Sequence, residues 1–218
     1  MFDLHTHTTF SDGVLIPSES VRRAKVKGYK GIAITDHADE SNFLFLLEKQ
    51  LKFKEEYNSS SEDFKVIIGV EFTHVIPSHI PKITEMARNN GADIILVHGE
   101  TIVEPVEPGT NRAAIEAKVD ILAHPGLISD EDALLAAKNN VYLEITTRKG
   151  HSLTNAYVAM MAKRYTCNLV INNDFHTPGD YVDYEMACKI LKGAGLSENE
   201  VLTVFENNKK LFNLKGGF

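Results

Sequence analysis

The sequence has few cysteines, no excess of basic residues and no long apolar segment, and each shortage excludes a class of protein. The two cysteines, Cys167 and Cys188, lack the spacing of a metal site, so we expect reduced packing residues, as in a cytoplasmic protein. No apolar run approaches the roughly 20 residues that cross a bilayer, which predicts no membrane partner. The formal net charge is −7. This argues against nucleic acid as a partner, because binding a phosphate backbone needs a basic face.

The sequence also lacks a Gly-x-Ser-x-Gly motif or any similar signature of a serine or cysteine nucleophile. Its composition is otherwise that of an ordinary globular protein, with 43% hydrophobic and 24% charged residues among 218. A chain of this length can bury a sizeable core, and we expect residues 1–218 to form a single domain. The oligomeric state stays open at this point.

Short apolar runs alternate with helical segments from one end of the chain to the other. After an opening strand that leads into His5, the predicted strands are residues 31–37, 66–71, 93–98, 119–124, 141–146 and 168–174. Continuous runs of valine, isoleucine and leucine are typical of strands buried on both faces, as in a parallel sheet. Regular alternation of strand and helix leaves an open doubly wound sheet or a closed barrel. In both architectures, functional sites form at the carboxyl ends of the strands.

The opening strand ends in two histidines, His5 and His7, which are two residues apart and therefore point to the same face. Asp12 follows in a Ser-Asp-Gly turn that can return its carboxylate to the same point. A lone His-x-His pair is also typical of a polar surface strand. The interpretation as a metal site therefore depends on what the later strands contribute.

The ends of the later strands carry the same kind of side chain. With the opening segment, the set is His5, His7, Asp12, His37, Glu71, His98, His124, Asp174 and His176. Converging strand ends favour a closed barrel, because a barrel brings every strand end to one mouth. Nine imidazole and carboxylate donors without a thiolate predict two or three Zn²⁺, Mn²⁺ or Fe²⁺ ions. Buried polar strand ends could explain any one position, but burying the whole set without a cation would be very costly.

The motifs that carry these residues are His-x-His with Ser-Asp-Gly, Thr-Asp-His, Gly-Val-Glu, Val-His-Gly, Ala-His-Pro-Gly and Asp-x-His-Thr-Pro. Their order resembles that of the PHP (polymerase and histidinol phosphatase) family, and they extend from His5 to His176. The resemblance implies an α/β fold, a distorted seven-stranded parallel (β/α)7 barrel similar to a TIM barrel. It also implies a cluster of three metal ions at the carboxyl ends of the strands.

The same resemblance implies how the nine ligands divide among three ions, with one glutamate bridging the first and second. The three groups are His5, His7, Glu71 and Asp174; Glu71, His98 and His124; and Asp12, His37 and His176. Asp12 is the position at which some relatives have a histidine. Asp36, next to His37, could orient a histidine or be an ordinary polar residue at a strand end.

A metal cluster of this kind suits phosphoester hydrolysis, in which a metal-bound water loses its proton and attacks phosphorus. A phosphate substrate also needs a cationic or hydrogen-bonding contact. Arg148 and His151, in the loop after the sixth predicted strand, are the candidates, although a solvated basic loop would look the same. The acidic segment around Glu104 could border the mouth and would favour a substrate that carries an amine.

The predicted function is hydrolysis of a small phosphomonoester, and the best single candidate is L-histidinol phosphate, because the chain is similar in size to stand-alone histidinol phosphatases. A phosphodiesterase, nucleotidase or nuclease of the same family is one alternative. A second is an amidohydrolase-like barrel that cleaves a C–N bond, but such barrels typically have a carbamylated lysine at the end of a middle strand, where this sequence has His98. A third is a metal-binding domain without catalytic activity.

Overall fold

The computed structural model describes residues 1–218 and contains eight strands and eight α-helices. The strands are β1 (Phe2–Asp3), β2 (Gly31–Ile34), β3 (His37–Ala38), β4 (Lys65–Phe72), β5 (Ile94–His98), β6 (Ile121–Ala123), β7 (Tyr142–Thr146) and β8 (Leu169–Asn172). The helices are α1 (Pro17–Val26), α2 (Phe43–Ser60), α3 (Ile80–Asn89), α4 (Thr110–Glu116), α5 (Asp130–Asn139), α6 (Asn155–Tyr165), α7 (Tyr184–Gly193) and α8 (Glu198–Leu214). None of these helices combines the length and hydrophobicity needed to span a membrane.

The strands form one nearly closed barrel. All neighbouring pairs are parallel, in the order β1, β2, β4, β5, β6, β7 and β8, and both β2 and β3 pair with β4 as two parts of one barrel strand. The two ends of the sheet meet where Thr6 bridges to Phe175, with the His7 amide donating to the Phe175 carbonyl at 2.8 Å. Seven barrel strands with helices between them confirm the predicted (β/α)7 barrel.

Two apolar clusters explain why the strands are apolar on both faces. Along β4, Val66 and Ile68 belong to a large cluster of 45 buried residues shared with the helices. Ile67, between them, belongs to a smaller cluster of ten residues inside the barrel, because successive strand side chains point to opposite faces. Phe212 of α8 belongs to the inner cluster, and a Cβ at Gly31 would lie 2.3 Å from its ring. Helix α8 therefore packs directly against the inner cluster.

A serine before an apolar helical pattern predicts an N-cap, so the sequence predicts caps at Ser18, at Ser129 and, as a capping box with Glu200, at Ser197. Two of these three predictions are confirmed. Ser129 accepts from the Asp132 amide at the start of α5, and Ser197 forms the predicted capping box with Glu200 at the start of α8. The prediction that Ser18 caps the first helix is wrong. Helix α1 begins at Pro17 without a side-chain cap, since proline suits the first helical turn, where its missing N–H has no helical partner anyway.

Side chains complete the seam between β1 and β8, where backbone pairing is sparse. The Asn172 Oδ1 atom accepts from the Leu4 amide at 2.9 Å. Asn208 of α8 accepts from the Ile171 amide at 3.0 Å, and its Nδ2 lies 2.8 Å from the Ile171 carbonyl and 3.1 Å from Asn172 Oδ1. The C-terminal helix therefore helps to close the barrel through one buried amide.

We expect Asn208→Ala to lower the free energy of unfolding by about 2 kcal/mol, because it leaves buried backbone and amide groups without partners. Chemical denaturation monitored by circular dichroism measures the change. Asn213→Ala, at an exposed position of the same helix, is the matched control and should change stability by less than about 0.5 kcal/mol. Equal effects of the two substitutions would show that Asn208 does not hold the seam.

Candidate metal centre

The nine side chains predicted as ligands lie together at the mouth formed by the carboxyl ends of the strands. Around the first group, His5 Nε2 is 3.2 Å from Glu71 Oε2, and His7 Nε2 is 3.4 Å from Asp174 Oδ1. His5 Nε2 is also 3.7 Å from Asp174 Oδ1. All four residues are buried. The His-x-His segment thus turns both imidazoles to one point, as its spacing predicts.

Glu71 lies between two groups of histidines. Its Oε2 atom faces three histidines, at 3.2 and 3.5 Å from the Nε2 atoms of His5 and His7 and at 2.8 Å from His37 Nδ1, whereas its Oε1 atom is 3.4 Å from His124 Nε2. The ring of His98 packs against that of His124, with centroids 4.3 Å apart. One carboxylate with its two oxygens on different groups has the arrangement that a bridging ligand requires.

Asp12 lies at the more exposed side of the mouth. Its Oδ1 atom is 3.1 Å from His176 Nε2 and 3.7 Å from His37 Nε2. The ring of His7 stacks on that of His176, with centroids 4.2 Å apart. The structure therefore brings together the third predicted group, Asp12, His37 and His176, with His7 as an additional neighbour.

The carboxylate of Asp36 holds the loop that carries Asp12. It accepts from the Thr8 amide at 2.6 Å and from the Ser11 hydroxyl at 2.8 Å. A Cβ at Gly13 would lie 2.6 Å from the His7 backbone, so the turn requires glycine to fold back this closely. The suggestion that Asp36 orients a histidine is wrong, because its hydrogen bonds go to this loop and to Gln50.

Several buried polar atoms at the mouth form no hydrogen bond of regular geometry within the protein, although some of them lie close to a group of opposite charge. They are His5 Nε2, both ring nitrogens of His7, both carboxylate oxygens of Glu71 and His124 Nδ1. Buried polar nitrogen and oxygen atoms are normally hydrogen-bonded, and each one that is not lowers the stability of the fold. The Nε2 atoms of His5 and His7 and the Glu71 carboxylate meet at one point, and imidazole with carboxylate there fits a bound Zn²⁺, Mn²⁺ or Fe²⁺ ion.

Electrostatics keep Glu71, Asp174 and His7 in forms that can bind a cation, and they favour the protonated form of His5. Burial alone would raise the pKa of Glu71 and of Asp174, but the charge of His5 helps to hold both well below their usual range. Burial and the charge of His37 hold the pKa of His7 well below its usual value, which favours the neutral imidazole. His5 has a raised pKa, because Glu71 and Glu144 outweigh its burial. Protons and cations would therefore compete for His5.

Two candidate ligands have strained backbone conformations. His124 and Asp174 adopt positive φ angles of 25° and 50°, a region that residues other than glycine rarely occupy. Strain of this kind persists only where the surrounding structure enforces it, and it is concentrated at functional sites. The fold thus maintains an unfavourable backbone at two of the strand ends that form the mouth.

Glu144 of β7 is a functional candidate that the sequence interpretation missed. Its Oε1 atom accepts from His5 Nδ1 at 2.8 Å and from Asn172 Nδ2 at 2.8 Å, and its Oε2 atom accepts from the His124 amide at 3.1 Å. A carboxylate that fixes the outer nitrogen of a histidine turns the other nitrogen towards a metal. The available signal was a single acidic residue inside an apolar run, Val-Tyr-Leu-Glu-Ile-Thr.

The two predicted substrate contacts occupy different environments. Arg148 is part of the mouth and 30% exposed, with Nε 3.5 Å from Asp174 Oδ2 and Nη1 donating to the Asp174 carbonyl. On another side, Arg148 lines a cavity of about 650 Å³. His151 is only 6% exposed, and its Nε2 atom lies 3.3 Å from Glu104 Oε1. Arg148 is thus open to a ligand, whereas His151 faces inward.

Comparison with known proteins agrees with the motifs. The PHP domain matches residues 3–144, more than half of the chain. The protein belongs to the PHP domain family. An uncharacterized protein of Methanocaldococcus jannaschii is 52% identical over 201 residues, covering 92% of each chain. A probable phosphatase of Thermoanaerobacter sp. is 27% identical, covering 93% of this chain and 89% of its own.

Solved structures share the PHP fold at lower identity. A chain of archaeal ribonuclease P with mature tRNA matches with a TM-score of 0.74 and 19% identity, over 99% of this chain and 91% of its own. Histidinol phosphate phosphatase of Lactococcus lactis, complexed with zinc, L-histidinol and phosphate, matches with a TM-score of 0.63 and 17% identity, over 90% and 94%. At these identities the likeness concerns the fold, and it confirms the TIM-barrel-like architecture.

We expect Glu144→Gln to weaken binding of Zn²⁺ by 10- to 100-fold. Both oxygens of Glu144 accept hydrogen bonds, and the side-chain NH₂ group of glutamine would instead face the backbone N–H of His124 or the ring N–H of His5. Competition with a chromophoric chelator measures the affinity. Glu116→Gln, at an exposed position of α4, is the matched control and should bind Zn²⁺ like the unmodified protein. Unchanged affinity in Glu144→Gln, with the fold intact, would show that His5 does not need this carboxylate.

Proposed function

We propose that the protein is a metal-dependent phosphoesterase that hydrolyses a small phosphomonoester, with L-histidinol phosphate as the best single candidate. The observation that carries the proposal is the convergence of His5, His7, Glu71 and His124 at one barrel mouth, where these buried side chains have polar atoms without a hydrogen bond of regular geometry. Buried polar side chains with a purely structural role are normally hydrogen-bonded to other protein groups. The membership in the PHP family and the similarity to probable phosphatases support a hydrolase.

The proposed centre holds three divalent ions, of Zn²⁺, Mn²⁺ or Fe²⁺, and the grouping of side chains supports this number. Glu71 would bridge the first two ions, since its two oxygens face different histidines. The third would lie beside Asp12, His37 and His176, at the more exposed side of the mouth. Nine donors exceed the four to six that one such ion takes.

When bound, such ions supply Lewis-acid activation of water and of the phosphoryl oxygens. The chain contributes positioning. The Glu144 carboxylate fixes His5, and Asp36 fixes the loop of Asp12. Arg148, anchored on the Asp174 carbonyl and still 30% exposed, is placed to donate to a phosphate oxygen. Burial of the imidazoles keeps bulk water away from all but the outer side of the mouth.

A nuclease is the main competing function, because a chain of ribonuclease P has the same fold. The charge balance of −7 favours a small substrate over a polymer, since a long phosphate backbone needs many cationic contacts. An amidohydrolase-like reaction is disfavoured because β5 ends in His98 rather than in a lysine.

Release of inorganic phosphate from a panel of phosphoesters, with added Mn²⁺, Zn²⁺ or Fe²⁺, tests the proposal. We expect monoesters to be hydrolysed faster than single-stranded RNA or cyclic amides, and a chelator to abolish the activity. The double variant His5→Ala/His124→Ala should lose it, because two of the proposed ion sites lose ligands. Activity that survives in that variant would overturn the metal mechanism.

We expect Asp12→Ala to remove one bound ion and to leave the other two, because the Asp12 carboxylate lies 3.7 Å from His37 and 3.1 Å from His176, the other two residues of the third group. Elemental analysis after dialysis measures the stoichiometry. Asp63→Ala, which removes an exposed carboxylate paired with Lys25, is the control and should bind as many ions as the unmodified protein. Loss of all three ions in Asp12→Ala would show that the division into separate sites is wrong.

A further inference from the structure

Three buried histidines from three different strand ends meet on the β5–β7 side of the mouth. His98 ends β5, His124 follows β6, and His151 lies in a short helical turn after β7. One ring nitrogen of each lies within 4.8 Å of those of the other two. The rings of His124 and His151 stack at 4.2 Å with an angle of 15°. The ring of His151 thus lies as close to that of His124 as the ring of His98 does, with centroids 4.2 and 4.3 Å apart.

The outer ring nitrogens of two of these histidines are held by the surrounding protein. His98 Nδ1 lies 3.2 Å from the Gly99 carbonyl, and His151 Nδ1 lies 2.9 Å from the Thr101 hydroxyl. Metal-binding histidines are characteristically fixed in this way, because a hydrogen bond at one nitrogen turns the other towards the ion. His151 therefore presents its Nε2 atom as His98 does.

One carboxylate, that of Glu104, lies close to the Nε2 atoms of both His98 and His151. Glu104 Oε2 is 3.2 Å from His98 Nε2, and Glu104 Oε1 is 3.3 Å from His151 Nε2. Glu104 comes from the loop between β5 and α4, and its side chain is 39% exposed. It is therefore the most exposed donor of this group, and the one that an incoming oxygen ligand can replace most easily.

The position of His151 argues against a direct role in binding phosphate. Its Nε2 atom points into the group of carboxylates, with Glu104 at 3.3 Å and Asp174 at 3.9 Å, and its side chain is only 6% exposed, so it does not face the opening by which a substrate arrives. Arg148 is far more exposed and carries a permanent charge. The two residues of one loop therefore suit different tasks.

We propose that His151 and Glu104 are ligands of the second divalent ion, together with Glu71, His98 and His124. This inference rests on the proposed function, and it makes His151 a metal ligand rather than a contact to phosphate. Three imidazoles and two carboxylates suit Zn²⁺, Mn²⁺ or Fe²⁺. Catalytic sites keep one displaceable position, and Glu104 occupies it in the absence of substrate.

Metal content and affinity of His151→Ala test the inference without reference to turnover. The protein is loaded with Zn²⁺, dialysed, analysed for metal and titrated against a competing chelator. We expect one ion to be lost or bound 10- to 100-fold more weakly, with the others retained. Lys149→Ala, an exposed change in the same loop, is the matched control and should bind all ions with unchanged affinity.

Thr101→Val provides a second variant that keeps the imidazole and removes only its outer hydrogen bond. We expect weakening of the same ion, smaller than in His151→Ala. In the Co²⁺-loaded protein, Glu104→Gln should change the visible absorption bands while the ion stays bound. Inorganic phosphate should change the bands of the unmodified protein in the same direction, because it replaces the same carboxylate.

The outcomes separate this inference from the proposed function. Wild-type metal affinity in both His151→Ala and Thr101→Val would overturn the inference, and a raised dissociation constant for inorganic phosphate in His151→Ala would then identify a phosphate contact. Full metal binding by the unmodified protein without hydrolysis of any phosphoester would overturn the proposed function and leave the ligand set intact. An unmodified protein that binds no divalent ion would overturn both.

Discussion

The structure depends on the concentration of ionisable groups at one end of the barrel. Six histidines and the carboxylates of Glu71 and Asp174 lie there with little or no solvent contact, and several of their polar atoms form no hydrogen bond of regular geometry. Moving such groups out of water is unfavourable unless opposite charge or hydrogen bonds compensate. A bound divalent cation is a compensation that fits imidazole and carboxylate side chains. The strained backbone at His124 and Asp174 belongs to the same arrangement, because it aims side chains that relaxed strand ends would direct elsewhere.

The barrel seam and the mouth are parts of one hydrogen-bonded system. Asn208 of α8 contacts Asn172, Asn172 donates to Glu144, and Glu144 accepts from His5. Closing the seam between β1 and β8 therefore also fixes the first candidate ligand. Buried polar networks of this kind are favourable only when every member is satisfied, and that condition makes the geometry of the closed barrel specific. The last helix of the chain is consequently coupled to the first histidine.

The amino-acid sequence predicts the barrel and most of its mouth for a simple physical reason. In a parallel barrel each strand delivers its last residue to the same rim, so the ends of the apolar runs identify the candidate ligands without knowledge of the register. Glu144 could not be identified in this way, because it lies inside a strand and contacts the site only through its hydrogen bonds, such as the one it accepts from His5. His151 was recognised as a residue of the mouth, but whether it faces phosphate or metal depends on a turn conformation that spacing does not specify. The first helix start was misassigned because Ser18 and Pro17 are competing signals one residue apart.

The ligand set does not by itself select a substrate, so the choice depends on the residues around it. The same mouth could serve a monoester or the end of an RNA strand, since both present a phosphoryl group. A polymer would also have to be held along its length, by cations that track the backbone or by exposed aromatic platforms. Around this mouth, Arg148 is partly engaged with Asp174, and Glu104 adds negative charge on the facing loop. This arrangement repels an extended polyanion more than it repels a small ester, and an amine on the substrate would turn Glu104 from a repulsive into an attractive neighbour.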